Sequence, residues 1–422
     1  MPQRDCGLIL RARVVLPVCR PPIDNGAIFV SGGRIVSVGP ETQLEAPTST
    51  PVVDLGDSIL LPGLVNAHCH LDYTDLGGSL EPGASFTDWL RRIIDAKSGW
   101  SQADYSRSWK RGAEMLVRSG VTTVADIEAA PSLLPGVWSE TPVTVCSFLE
   151  MTGVRAGAAQ EAVLSDARAT LGRVAGGRGE IGLSPHSLYS TVPGLVASTV
   201  ETAHELNLPL TMHLAESGEE FEMFRDAGGP MFAWLKDVGR DMADCGRATP
   251  VQIAAQLGAL DRRMLAVHVN RLGPEDARLL GRGGASVAHC PGSHEFFGHS
   301  KFEFSRLAAA GVNICLGTDS LASIGQEDGE RPVLCMFAEM RRFAGMFPDI
   351  GPDEIVKMAT ANGARALGKA GEIGELSGGA AADLLSIPFA GASAEAADAV
   401  VHHRGNASGV MIGGDWARPH DS

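Results

Sequence analysis

Basic residues are scarce in this 422-residue chain: 35 lysines and arginines stand against 50 aspartates and glutamates, a formal charge of -15 at pH 7. A nucleic-acid binder needs a basic stripe, and the sequence has none. Its acidity also disfavours polyanionic partners. Long apolar runs are missing too. No stretch reaches the ~20 residues that a membrane-spanning helix requires. Arginines interrupt the first residues and leave no secretory hydrophobic core. The eight cysteines (Cys6, Cys19, Cys69, Cys146, Cys245, Cys290, Cys315 and Cys335) contain no C-x-x-C pair. That excludes a thiolate metal site and a disulfide framework, and most of the cysteines sit in apolar runs as buried free thiols do. Together these absences predict a reduced, cytoplasmic protein with neither membrane nor nucleic acid as partner. What is present, 44% hydrophobic and 20% charged residues, is the composition of a globular chain.

Both ends of the chain read as short β segments. At the front, residues 26–30 and 34–38 flank Ser31-Gly32-Gly33, a hairpin signal, and 51–61 adds another apolar run. At the back, 382–387, 399–401 and 409–412 read as short strands between glycines, and 390–397 as a surface connection of small residues. The two ends are expected to build one small β-sandwich, from 1–58 and 373–422, with a large unit, 59–372, inserted between them. That unit alternates apolar runs with helical patterns such as 106–119, 192–206 and 275–280. The strand candidates are 64–67, 121–125, 143–148, 180–183, 208–212, 265–269, 285–288 and 312–316. Eight strand–helix alternations predict an α/β fold of the parallel (β/α)8 barrel, or TIM barrel, kind. A doubly wound open sheet competes, but it normally carries a glycine-rich turn after its first strand. Here that strand ends in Asn66-Ala67-His68-Cys69-His70. Two long inserts, 72–105 and 217–262, follow barrel strands and are candidate substrate walls.

His68 and His70 are two apart, so in a strand both imidazoles face one side. An isolated H-x-H is more often a pair of ordinary core or surface histidines. Four more groups change the odds, each at or just past the end of a predicted strand: His213, Glu216, His268 and Asp319. Such convergence at one rim points to a site. Neutral imidazoles and one carboxylate suit one divalent metal, Zn2+ or Fe2+, with an open position for water. Such a metal lowers the pKa of water toward ~7. Asp319 can ligate the metal and accept the water proton. Glu216 can carry that proton to the substrate. His268 can polarise the nucleophile or hold the substrate.

These segments carry a resemblance. Pro62-Gly-Leu-Val-Asn-Ala-His-Cys-His70 resembles the first-strand motif of the amidohydrolase superfamily. Met212-His-Leu-Ala-Glu-Ser217 resembles the fifth-strand motif of its deaminase and chlorohydrolase branch, and Leu316-Gly-Thr-Asp-Ser320 the eighth-strand aspartate motif. Ser184-Pro-His-Ser-Leu-Tyr189 and Ala288-His-Cys-Pro-Gly-Ser293 are similar to its fourth- and seventh-strand segments. The resemblance implies a distorted barrel with a split β-sandwich. It implies one metal on His68, His70, His213 and Asp319, with Glu216 and His268 as acid/base partners. It also implies that His186 contacts substrate.

One branch of the superfamily bridges two metals with a carboxylated lysine. This chain has few lysines and none in 180–183, which favours a single metal. Glu150, closing the third strand, then reads as a substrate-binding group. The seventh-strand segment departs from the common pattern and runs on as Ser293-His294-Glu295-Phe296-Phe297. His294 and Phe297 are expected to stack on an aromatic substrate, a look shared with deaminases of aminodeoxyfutalosine. The function expected is hydrolytic deamination of an aminated, purine nucleoside-like heterocycle by a homodimeric enzyme. Dechlorination of a triazine-like ring is the nearest alternative. A catalytically inactive scaffold fits less well, because every ligand position is filled.

Overall fold

The computed structural model describes residues 7–154, 158–176, 179–326 and 331–420. Cys6 and the extreme ends of the two flanking segments lie outside them. The front of the chain supplies strands β1 (Leu8–Val15), β2 (Ile23–Ser31), β3 (Arg34–Pro40), β4 (Val52–Asp54) and β5 (Ser58–Pro62). The centre supplies β6 (Leu64–Cys69), β7 (Val121–Glu128), β8 (Thr144–Met151), β9 (Glu180–Pro185), β10 (Leu210–Leu214), β11 (Met264–His268), β12 (Ser286–His289) and β13 (Asn313–Leu316). The back supplies β14 (Leu384–Pro388), β15 (Gly409–Ile412) and β16 (Asp415–Arg418). Strands β6 to β13 form one parallel sheet in sequence order, and a bridge between Cys69 at the end of β6 and Asp319 just past β13 joins its edges, so the sheet curls into a barrel. The other strands make a mixed sheet in the order β16-β15-β14-β5-β1-β2-β3, with β4 beside β1.

The two chain ends meet where β14 runs antiparallel to β5, pairing Leu384 with Pro62 and Ile387 with Ile59. Both strands are apolar on both faces, and the period of two explains why. Ile59, Leu61, Leu385 and Ile387 join the core that packs the barrel against its helices. Leu60 and Leu384, pointing the other way, join the core of the mixed sheet with Leu10, Ile28 and Met411. A third core fills the barrel itself, with Val65, Ala67, Ile127, Phe148, Leu265 and Val267. The (β/α)8 barrel with a β-domain built from both chain ends is therefore the fold.

One expected strand is a helix. Residues 399–401 lie within the helix Ala396–His402. Ala396, Ala397, Val400 and Val401 are its buried residues, a helical spacing that the short apolar triplet concealed. The seven described cysteines are free, five of them buried. No helix among the described residues is long and apolar enough to cross a membrane.

Truncation at about residue 375 removes β14 to β16. It strips β5 of one of its two neighbours and uncovers Leu60 and Leu61. The shortened chain should be insoluble on expression, judged by the soluble fraction and light scattering. A soluble, monodisperse product would show that the barrel does not depend on the sheet.

Candidate active site

The site begins at the seam where the barrel closes. The His68 carbonyl accepts the amides of Thr318 (3.0 Å) and Asp319 (3.1 Å). The Asn66 side chain completes the joint: its Nδ2 donates to Thr318 Oγ1 (2.8 Å) and its Oδ1 accepts from Thr318 N (3.1 Å). The strands come this close because residue 317 is glycine. A Cβ there would stand 2.8 Å from the His68 carbonyl oxygen. The joint places Asp319 Oδ1 3.5 Å from His68 Nε2 and 3.7 Å from His70 Nε2. Ser323 donates to the other carboxylate oxygen at 2.9 Å, which leaves Oδ1 to face the imidazoles.

β10 brings in His213. Its Nδ1 donates to the His186 carbonyl (2.9 Å), so its Nε2 presents a lone pair. His70 Nε2 lies 3.2 Å from that atom. The ligand atoms of His68, His70 and His213 all lie within 4.8 Å of one another, as do those of His68, His268 and Asp319. Burial, reinforced by neighbouring imidazoles, pushes His213 down to about 3 and His70 well below the usual histidine range. His68 Nε2 is buried with no hydrogen-bond partner. Neutral imidazoles whose nitrogens converge on a carboxylate fit a divalent cation, and an orphaned buried nitrogen is explained by one.

His268 reaches the cage by a backbone device. Leu265 and Val267 fill the barrel, so strict alternation would turn His268 outward. Its φ of 71° rotates it back over the mouth. There its Nε2 stands 3.5 Å from Glu216 Oε1. Glu216 follows another left-handed residue, Ala215, with φ of 50°. The Glu220 carboxylate holds this turn by accepting the amides of Ala215 (3.0 Å) and Glu216 (2.8 Å). Burial, then the charges of Asp319 and Glu220, push the Glu216 carboxyl well above the usual range. Burial acts on Asp319 in the same sense, but the facing imidazoles outweigh it and hold that carboxyl well below its usual value. The two carboxyls are pushed in opposite directions, an arrangement suited to proton transfer.

A cavity of about 530 Å³ opens over the cage. Glu150 and His186 line it, with His186 Nε2 3.8 Å from Glu150 Oε1 and His186 Nδ1 2.7 Å from Ser190 Oγ. Both long inserts supply walls. The helix Phe86–Lys97 contributes Phe86, Trp89 and Ile93, and the helix Gly229–Asp237 contributes Trp234 and Leu235. A carboxylate ties the inserts together: Glu219 accepts the amides of Phe86 (2.9 Å) and Thr87 (3.0 Å) and the Thr87 hydroxyl.

His294 and Phe297 stand elsewhere than the sequence suggested. Neither lines the cavity. The chain after Cys290 winds into the helix Pro291–Phe297, which carries both behind the wall. His294 Nδ1 pairs with Asn270 Oδ1 (3.0 Å), and Asn270 Nδ2 donates to the Glu216 carbonyl (3.1 Å). Phe297 packs edge-on against Trp89 and Phe86, ring centroids 4.9 Å and 5.1 Å away. Sequence reasoning missed Tyr73, Trp89 and Lys97, which do line the cavity. Phe86, Trp89 and Ile93 repeat at helical spacing within an insert, a signal that was there to be read.

A parallel barrel that gathers histidines and carboxylates at the C-terminal ends of its strands, under an aromatic cavity, holds these groups where barrel enzymes carry their active sites. The sequence matches the amidohydrolase family over residues 59–417, and the chain belongs to that family. It is 31% identical over 393 residues to 5-methylthioadenosine/S-adenosylhomocysteine deaminase of Moorella thermoacetica, covering 90% of this chain and 85% of the relative. It is 27% identical over 356 residues to aminodeoxyfutalosine deaminase of Deinococcus radiodurans, covering 81% of each. An adenosine deaminase from Xanthomonas campestris, solved with bound zinc, superposes with a TM-score of 0.82 at 23% identity, over 98% of this chain and 93% of that one. Family and relatives place the chain among hydrolases of carbon–nitrogen bonds in cyclic amidines.

Glu220→Ala leaves two buried amides without an acceptor. It should lower stability by about 1–3 kcal/mol in urea unfolding and reduce turnover through the displaced Glu216. Wild-type stability in this variant would show that the turn is held by other contacts.

Proposed function

We propose that the chain is a zinc-dependent hydrolytic deaminase of an adenosine-like nucleoside bearing a modified 5′ end. The observation that carries this reading is the facing of Glu216 onto the His/Asp cage beneath a cavity walled by aromatic rings. In this reading the barrel unit, 59–372, carries every group with an assigned role. His68, His70, His213 and Asp319 hold one zinc ion. The metal's chemical contribution is to make water a nucleophile near neutral pH.

The chain's own residues supply the rest. Glu216, kept protonated by burial, delivers its proton to the ring nitrogen next to the amine-bearing carbon. Asp319, ionised, takes the proton of the attacking water and returns it to the amine, whose carbon–nitrogen bond breaks to release ammonia, while His268 holds the nucleophile in line. His186 and Glu150 bind the heterocycle at the inner wall. Trp89, Phe86 and Trp234 exclude water and stack on the apolar parts of the substrate. The similarity to deaminases named for methylthioadenosine, S-adenosylhomocysteine and aminodeoxyfutalosine supports a nucleoside whose 5′ substituent occupies the outer cavity. The free state of the seven cysteines among the described residues suits a reduced, cytoplasmic setting.

The test is an ammonia-release screen of the zinc-loaded chain. It should include adenosine, 5′-modified adenosines, aminodeoxyfutalosine, guanine and a chlorinated triazine. Ammonia from a 5′-modified adenosine is expected; chloride release from the triazine alone would overturn the deaminase reading. Glu216→Gln should retain zinc, measured by metal analysis, while kcat falls ~10²–10⁴-fold. Loss of the metal in that variant would make Glu216 a ligand instead.

A further inference from the structure

The imidazoles of the cage are oriented by different means. His213 is turned by the bond from its Nδ1 to the His186 carbonyl. A metal-binding histidine ordinarily uses its second ring nitrogen in this way. His70 does not: its Nδ1 is buried and has no hydrogen-bond partner. Its ring lies flat on Tyr73 instead, with centroids 5.1 Å apart and planes within 10° of parallel.

Tyr73 is itself held firmly. It lies in the 3-10 turn Leu71–Leu76 that begins directly after His70. The Asp126 carboxylate on β7 accepts the Leu71 amide (2.9 Å) at the start of that turn. The Tyr73 amide donates to the His70 carbonyl (3.2 Å), and Thr74 Oγ1 to the Leu71 carbonyl (2.8 Å). The helix Gln102–Arg118 presses on the turn through Gly112, where a Cβ would overlap Thr74 Oγ1 and come within 2.9 Å of Leu71 Cδ2. The Lys97 ammonium stands 3.7 Å from the centroid of the Tyr73 ring and bonds its hydroxyl. A cation over an aromatic face in a partly desolvated site is attracted to it. Tyr73 thus meets His70 through its ring plane and Lys97 through its ring and hydroxyl.

We propose that Tyr73 is a positioning residue for His70, with Lys97 bracing it, and that a flat aromatic side chain at position 73 sets the metal affinity of the cage. The proposal rests on the metal reading given above. A stacked ring limits tilt and rotation of the imidazole, the task a hydrogen bond performs for His213. The rival role is substrate contact alone, since Tyr73 and Lys97 also line the cavity.

Zinc affinity of the full-length apo-chain, measured by competition with a chromophoric chelator, separates the two without any substrate. Tyr73→Leu should weaken zinc binding by about tenfold or more, as loss of an orienting partner does, while Tyr73→Phe, which keeps the stack, stays within about threefold of wild type. Lys97→Met should fall between them. Circular dichroism checks folding, and Tyr73→Met carries the same test if the leucine variant does not fold. Wild-type zinc affinity in folded Tyr73→Leu, with only KM raised, would overturn the proposal. Wild-type affinity in Lys97→Met would remove the lysine from it. A wild-type chain that binds no divalent metal would instead overturn the metal reading itself.

Discussion

Two amides donated to one carbonyl decide the geometry of the mouth. Thr318 and Asp319 both donate to the His68 oxygen. This joint closes the sheet and brings the last-strand carboxylate up to the first-strand histidines. The seam is tight: Gly317 leaves no room for a Cβ, and Asn66 bonds both the amide and the hydroxyl of Thr318. A buried polar site is stable only when its groups are mutually satisfied. Here Ser323 and the His186 carbonyl satisfy the outward-facing atoms of Asp319 and His213, Asn66 and Thr318 satisfy each other, and the inward-facing nitrogens are left to the cage.

The site is also a place of stored backbone strain. Ala215, His268, Val269 and Asp319 have φ values of 50°, 71°, 48° and 54°. Each lies at the mouth end of a barrel strand, and all four carry or adjoin a group given a chemical role. Left-handed non-glycine residues cost on the order of 1–3 kcal/mol each. The compensation is local and visible: the Glu220 carboxylate at Ala215 and the His68 carbonyl at Asp319.

The eight-strand rhythm was legible because barrel strands are apolar on both faces, and the H-x-H motif was legible because it ended one of them. Strand ends were less so. β7 runs on to Glu128 and β8 to Met151, past the expected ends, because the ladder continues through Asp126, Glu128 and Glu150, charged residues that interrupt the apolar runs near the mouth. His68, His70, His213, Glu216, His268 and Asp319 converge because all six sit at strand ends, which sequence order alone can locate. His294 and Phe297 follow a strand end too, but a helix begins at Pro291 and its phase determines where they point. Periodicity over seven residues does not reveal that phase. Tyr73 and Lys97 were invisible for another reason: their roles depend on how an insert docks, and docking is set by distant groups such as Asp126 and Glu219.

The Glu219 bonds bear on how such a barrel diversifies. The helix Phe86–Lys97 receives the cap of its first two amides from the segment that follows β10, not from its own loop. The two inserts that shape the pocket are therefore one heritable module split across the chain. Grafting either insert alone into another barrel would strand a carboxylate on one side or leave the helix start with only its Ser85 cap on the other. Recombination that redesigns this pocket must exchange both pieces together.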